Sequence, residues 1–493
     1  PQWEELLRKN WKGAQIRFNL EYGGFHLLAS GDSVRDLSVL KGIPVSGLTL
    51  LNARPQSFEP LRGGRLRVLV LRDCRIPDPS PLASLPLETL VLNRTPAANI
   101  EFLRKLNLKH LTLRGCGIES LAPLAGMKLE TLDISRNRIR ELRPLLGMPL
   151  KSLSAQFNEI TSVLPLHKMP LEVLNLSNNR ISDIQVLHGL PLRNLNLTGN
   201  SIGDISALEG LPLEVLNLAY NRVESLASLA ETAGLRALYL EGNRVSDLAP
   251  LRNMTQLTVL DASDNRVLSL VPLAQCRMLT DLSLCGNRVA DLLPLKNLTE
   301  LRSLNCFGNP VAELDPLSTL DLERLFVSGS SVTSFGTLLL RPPREFFLFH
   351  DAKMERGSAA HLYERSVAGE AAMRLRQQLL VLEAYLEGNG GRLRNLAYEI
   401  NGKRYSRIPV MMNYESAQSA ASRLGAALPA WENSREQAEL FRILKTPFWV
   451  DEKTFAETVE PHSGCFLDRR PGRNGVVVNR DSARVFPLVL EWK

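Results

Sequence analysis

The stretch LEVLNLSNNRISDIQVLHGLP, Leu171 to Pro191, returns almost unchanged at Leu213 as LEVLNLAYNRVESLASLAETAG. Leucine holds positions one, four and six, asparagine position nine, and isoleucine or valine position eleven. Leu174 and Leu176 alternate with Asn175, the period of a short strand with one buried face. An asparagine at position nine can set its amide donors and its oxygen on the backbone of a turn that has left the sheet. Stretches such as SPLASLPL, APLAGMKL and APLRNMTQL come next. Their proline and glycine punctuation predicts a short helical or 3₁₀ return segment.

Laid along the chain, position nine falls on Asn137, Asn158, Asn179, Asn200, Asn221, Asn243, Asn265, Asn287 and Asn309. The steps are 21 residues as far as Asn221 and 22 beyond it. Stepping back by 21 reaches Cys116, Thr95, Cys74, Ala53 and Asp32, and stepping forward reaches Ser330. Cysteine, threonine and serine keep a weaker donor in that slot. Such constant register is the mark of a repeat architecture, and 493 residues exceed one ordinary core.

These residues resemble leucine-rich repeats, and the brief return segments are similar to the short class found in internalins and phosphatase-regulator proteins. The resemblance covers residues 24–340 and implies an α/β solenoid: a curved array with a parallel sheet on its concave face. No turn buries its leucines alone, so both ends need caps. Residues 1–23 read as an N-terminal capping helix, with Trp3, Leu6 and Leu7 on one face and Trp11 one turn further. Residues 341–394 read as a C-terminal cap and helical connector. RPPREFFLFH supplies a closing strand there, and a helix is expected from about Val367 to Glu387.

From residue 395 to 493 the vocabulary changes. A strand and hairpin lead into helices near Asn413 and Asn433, followed by FWVD, GVVVN and PLVLEW as strands. This order resembles a small α+β C-type-lectin-like domain, through Ala417, Gly425, Leu428, Glu436 and Trp449. In that family a disulfide joins the positions held here by Ala421 and Leu490. Both thiols are replaced, and Cys465 has no partner cysteine after it, so the resemblance implies a disulfide-free module. The family's calcium-dependent sugar site is also broken. Glu460-Pro461-His462 and Asn479-Arg480-Asp481 stand where the oxygen ligands belong, so no metal is expected.

Positions three, five and seven point into the hollow of the arc. The late turns bring Tyr239, Phe307 and Phe326 there among Asp261, Ser283 and Asn305, a pattern suited to anchoring a protein or glycan. The other reading makes these aromatics a shield where the C-terminal module folds back. At position five, Asn175, Asn196 and Asn217 read either as a ladder of stacked amides or as ligand contacts. Position ten carries Arg138, Arg180, Arg222, Arg244, Arg266 and Arg288. The preferred reading is an exposed ladder neutralised by Glu141, Asp183, Asp204, Asp247 and Asp291; the alternative is a rim that binds sulfate or phosphate.

A net charge of +7 spread over this length describes a solvated surface rather than a nucleic-acid face. No apolar run reaches the ~18 residues of a membrane span. The six cysteines form no metal-binding or scaffold spacing, and the seven histidines are scattered. No nucleophile elbow, zinc motif or phosphate loop is present, so neither catalysis nor a cofactor is expected. Pro1, without a basic-then-apolar leader, suggests a mature or excised chain. The reading is a non-enzymatic recognition or adhesion protein, on the cell surface or secreted, with the cytoplasm as the other compartment. The alternatives are the sensing region of a larger signalling receptor, kinase-linked in one form, and a sugar-binding lectin.

Overall fold

The computed structural model describes residues 2–328 except 22, 23 and 98, then residue 343 and the strands 345–349, 398–400, 403–412, 449–450, 464–468, 475–479 and 486–492. The chain forms two compact units, 1–235 and 236–493.

The first unit opens with the helix Gln2–Asn10. Leu7 and Trp11 are fully buried, and the Trp11 indole donates to the Asp36 carbonyl at 2.9 Å. Trp3 meets Phe25 edge-on, with ring centroids 5.8 Å apart. Leu6, expected on the same face, is 43% exposed, because it lies about 100° round the helix from Leu7. The strand Gln15–Glu21 follows, antiparallel to Gly24–Ser30. This hairpin was not anticipated. It covers the first edge with an antiparallel strand before the parallel ladder begins at Val45–Leu51.

From there the first unit adds Val68–Arg72, Thr89–Asn93, His110–Arg114, Thr131–Asp133, Ser152–Ser154, Val173–Asn175, Asn194–Asn196 and Val215–Asn217, each parallel to its neighbour. Leucine faces leucine throughout, as in Leu132↔Leu153↔Leu174↔Leu195↔Leu216, and all of these are buried. That burial is the main stabilising term. Strands with Val70, Val91 or Thr112 at position five run five residues. Asp133, Asn175, Asn196 and Asn217 instead accept the position-seven N–H on their own side-chain oxygen, and there the strand ends after three. These three asparagines therefore bond within their own turns.

The return segments are 3₁₀ turns, often with proline at the start, as in Ala122–Leu124 and Arg143–Leu145. Proline fits there because its missing N–H has no partner to lose.

In the second unit Ala237–Tyr239, Val259–Asp261, Asp281–Ser283, Ser303–Asn305 and Arg324–Ser328 continue the same parallel pattern. Glu345–Phe349 pairs in parallel with Arg324–Ser328, but it does not end the sheet. Phe346 stands opposite Val410 of the strand Lys403–Met412, which also pairs antiparallel with Tyr398–Ile400 and with Phe486–Trp492. Its register with the last of these shifts between Ile408 and Met411. Trp449–Val450, Gly464–Asp468 and Gly475–Asn479 make a separate antiparallel sheet. Ala417, Ala421, Gly425, Leu428, Glu436, Glu460 to His462, Arg480 and Asp481 lie outside the described residues, as does the expected helix at 367–387.

Candidate recognition face

Position nine is the internal brace of each turn. Asn158 donates from Nδ2 to the Ala155 carbonyl three residues back and to Ile134 of the preceding turn, both at 3.0 Å. Its Oδ1 accepts the Ile139 N–H at 3.0 Å. Asn179, Asn200 and Asn221 repeat this set in the first unit, and Asn265, Asn287 and Asn309 do so in the second. Asn137 bonds the Leu113 and Ile134 carbonyls, and its oxygen takes both Cys116 N–H and Ile118 N–H. Asn243 donates to Leu240. The variants keep part of the job: the Cys74 and Cys116 thiols reach Leu50 and Leu92 carbonyls at 3.3 Å, and Thr95 Oγ1 reaches Leu71. Each bond joins groups that would otherwise be buried and unpaired.

Position ten is wet. Arg180 meets Glu159 at 3.6 Å and Arg138 meets Glu119 at 3.6 Å, all well exposed except Glu159. Among the described residues Arg222, Arg266 and Arg288 form no ion pair, and Arg244 is exposed. The aspartates expected to neutralise this column work elsewhere. Asp183, Asp204, Asp247 and Asp291 each accept the N–H two residues on, at 2.8–2.9 Å, and start a 3₁₀ turn. The Ser206 N–H holds the Asp204 carboxyl below its ordinary pKa, with the Ser206 hydroxyl second.

On the open face of the second unit the ladder sets Tyr239 opposite Asp261, Asp261 opposite Ser283, Ser283 opposite Asn305 and Asn305 opposite Phe326. One side chain per strand, all half-buried, makes a row ~19 Å long at the ordinary strand spacing. Phe307 stands at position seven beside this row and is only 4% exposed. Asp261 and Asn305 are held by the N–H groups of Ser263 and Phe307, at 3.0 and 3.2 Å, and Ser283 shares a 2.7 Å hydrogen bond with Ser263. The polar members are therefore fixed before any partner arrives.

Position eight went unremarked in the sequence, and the structure singles it out. Every turn from Gly31 to Gly308 places a left-handed residue there, including Asn52, Asp73, Arg94, Arg136, Phe157, Asn178, Tyr220 and Asp264, at φ between 50° and 57°. Irregular residue type hid the column: what repeats is a backbone angle, and only Gly31, Gly115, Gly199, Gly242, Gly286 and Gly308 announce it.

Cys74, Cys116, Cys276, Cys285 and Cys306 are free and buried. Burial pushes Cys116 and Cys276 to about 11, and Cys285 and Cys306 to about 12. Such thiols are poor nucleophiles. Among the described residues no group of three or more His, Cys, Asp or Glu could hold a metal ion. None of their helices is long and apolar enough to cross a membrane.

The Leucine Rich Repeat family model matches residues 170–190. No curated protein sequence matches the chain. An internalin (InlF) of Listeria monocytogenes is similar at 25% identity and TM-score 0.44, over 55% of this chain and 79% of its own. A leucine-rich repeat protein of Leptospira interrogans is similar at 19% identity and TM-score 0.46, over 60% of this chain and 88% of its own. The plant peptide hormone receptor RGFR1, solved in complex with RGF2, is 17% identical with TM-score 0.46, over 62% of this chain and 59% of its own. Residues 170–190 thus match a leucine-rich repeat, and parallel leucine ladders, 3₁₀ returns and bonded asparagines carry the same repeated build through both units.

Proposed function

We propose that this chain is a non-enzymatic recognition protein that holds a protein partner on the open face of its second unit. The observation that carries the reading is the row Tyr239–Asp261–Ser283–Asn305–Phe326, whose register puts two aromatics at the ends of a braced polar strip. Aromatic anchors with polar groups between them are the usual energetic core of a protein interface. Phe307, nearly buried beside the row, gives its N–H to the Asn305 side chain. A glycan is the second ligand for the same strip, since aromatic rings and fixed hydrogen-bond partners suit sugars as well. The internalin and the hormone receptor support the reading only as proteins of similar build. Residues 395–493 enter it as a lectin-like accessory module, with a cell-surface or secreted setting.

The test is co-precipitation from a cell-surface extract with the intact chain, with residues 1–340, and with Tyr239→Ala and Phe326→Ala. The expected outcome is one partner retained by the intact chain and by residues 1–340, and weakened about fivefold or more by either alanine, the ~1 kcal/mol of an anchor. A partner lost with residues 341–493 and indifferent to both alanines would overturn it.

A further inference from the structure

Phe157 carries a bulky side chain at φ 56°, and Arg136 and Tyr220 do the same at 57° and 56°. Left-handed backbone costs a residue with a Cβ free energy that glycine avoids. The same slot in nearby turns holds Gly115 and Gly199, so an unstrained alternative is in use in the same unit. Nor does burial offset the cost: Phe157 is 45% exposed and Tyr220 41%. The Arg136 guanidinium lies over the Phe157 ring, 4.6 Å from its centroid, and among the described residues it forms no ion pair. Ser135 and Gln156, one residue before each, have a buried hydroxyl and a buried amide oxygen with no hydrogen-bond partner among the described residues. Strain, exposure and unmet polar capacity at one place are how binding sites are commonly built.

We propose that this edge of the first unit, from Arg136 through Phe157 to Tyr220, docks an extended, acidic protein segment bearing aromatic or aliphatic side chains. The site is separate from the second unit's open face and does not rest on that reading. Five consecutive turns separate its ends by ~19 Å at strand spacing. An extended segment covers that in about six residues. Charge complementarity selects the acid. Besides Arg136, the exposed Arg138, Arg180 and Arg222 lie two residues further along their turns, with Glu119 against Arg138 and Glu159 against Arg180 as the opposing charges. A partner recognised by charge alone would use the arginines and leave the exposed faces of Phe157 and Tyr220 uncovered. The rings call for apolar side chains between the acids.

The probe is a fluorescein-labelled random copolymer of glutamate and tyrosine, read by anisotropy on the full chain, against polyglutamate of equal length and heparin. The expected result is that the copolymer binds at least tenfold tighter than polyglutamate. Phe157→Gly and Tyr220→Gly should each weaken it severalfold, and Arg136→Gly should weaken it and flatten its salt dependence. Because glycine suits the backbone there, Phe157→Gly should leave Tm unchanged or raised. Four results would overturn the proposal: no copolymer binding, equal affinity for copolymer and polyglutamate, heparin bound as tightly and with no loss in Phe157→Gly, or a large fall in Tm for Phe157→Gly, which would make the ring structural.

Discussion

Phe157 and Asn158 are consecutive residues of one turn, and they belong to opposite kinds of column. Asn158 is 9% exposed and ties its own turn to the one before through bonds at 3.0 Å. Phe157 is 45% exposed, and its fixed feature is a left-handed backbone. Along position nine the side chain itself does the structural task, so asparagine recurs from Asn137 to Asn309 and small donors stand at Cys116, Thr95 and Cys74. Along position eight the main chain does the task, its N–H reaching the position-seven carbonyl of the next turn, as Phe157 does to Ser177 at 2.9 Å. Any residue that tolerates the angle can stand there, and its side chain is left for something else. A repeat thus separates what must be constant from what can vary, and variation against strain marks candidate function.

The largest expected effect lies in the leucine floor beneath both columns. Leu176→Ala or Leu218→Ala should destabilise by about 2–5 kcal/mol in denaturant melts, since each fully buried side chain would leave a cavity between turns. A loss below ~1 kcal/mol would mean that the floor is not close-packed. Next comes the brace. Asn179→Ala and Asn221→Ala should cost about 1–3 kcal/mol by orphaning the Ile160 and Ile202 N–H groups and removing one donor from each of two carbonyls. Neutral results there would erase the distinction between the columns.

Smaller still is the acid response of the 3₁₀ caps. The folded-state pKa of Asp204 is depressed, so its contribution is present above the unfolded value and lost as pH falls through the folded one. Asp204→Ala should therefore narrow the stability gap to wild type as the solution is acidified below the ordinary carboxylate range. A gap that is constant down to the lowest pH would contradict the capping role. The smallest effect is a null one: the five buried thiols should label with a thiol reagent at neutral pH only as fast as the chain opens. Rapid labelling of Cys285 or Cys306 in the folded state would refute their burial.

Much of this was legible in the sequence. The spacing of Leu174, Leu176 and Asn179 states which face is buried and which residue braces the turn, because a side-chain requirement leaves a side-chain signature. The open-face row was legible too, since strand period and constant register place Tyr239 beside Asp261. Position eight was not, because a backbone angle leaves a signature only where glycine fills it. The charges also misled. Asp183 and Asp204 share a spacing with the arginine column yet bond backbone N–H groups, a choice that depends on where the 3₁₀ turn begins. The antiparallel strand Gln15–Glu21 was missed because QIRFNLE lacks the leucine template that made the strands from Val45–Leu51 onward visible.

The direct test of the two-column account is a paired melt of Phe157→Gly and Asn158→Ala, neighbours in sequence and turn. The account predicts that Asn158→Ala loses about 1–3 kcal/mol. Phe157→Gly should stay within about 1 kcal/mol of wild type, with relief of left-handed strain set against glycine's unfolded-state entropy. Equal losses, or a larger loss at Phe157, would contradict the claim that position nine builds the array while position eight is free to serve a partner.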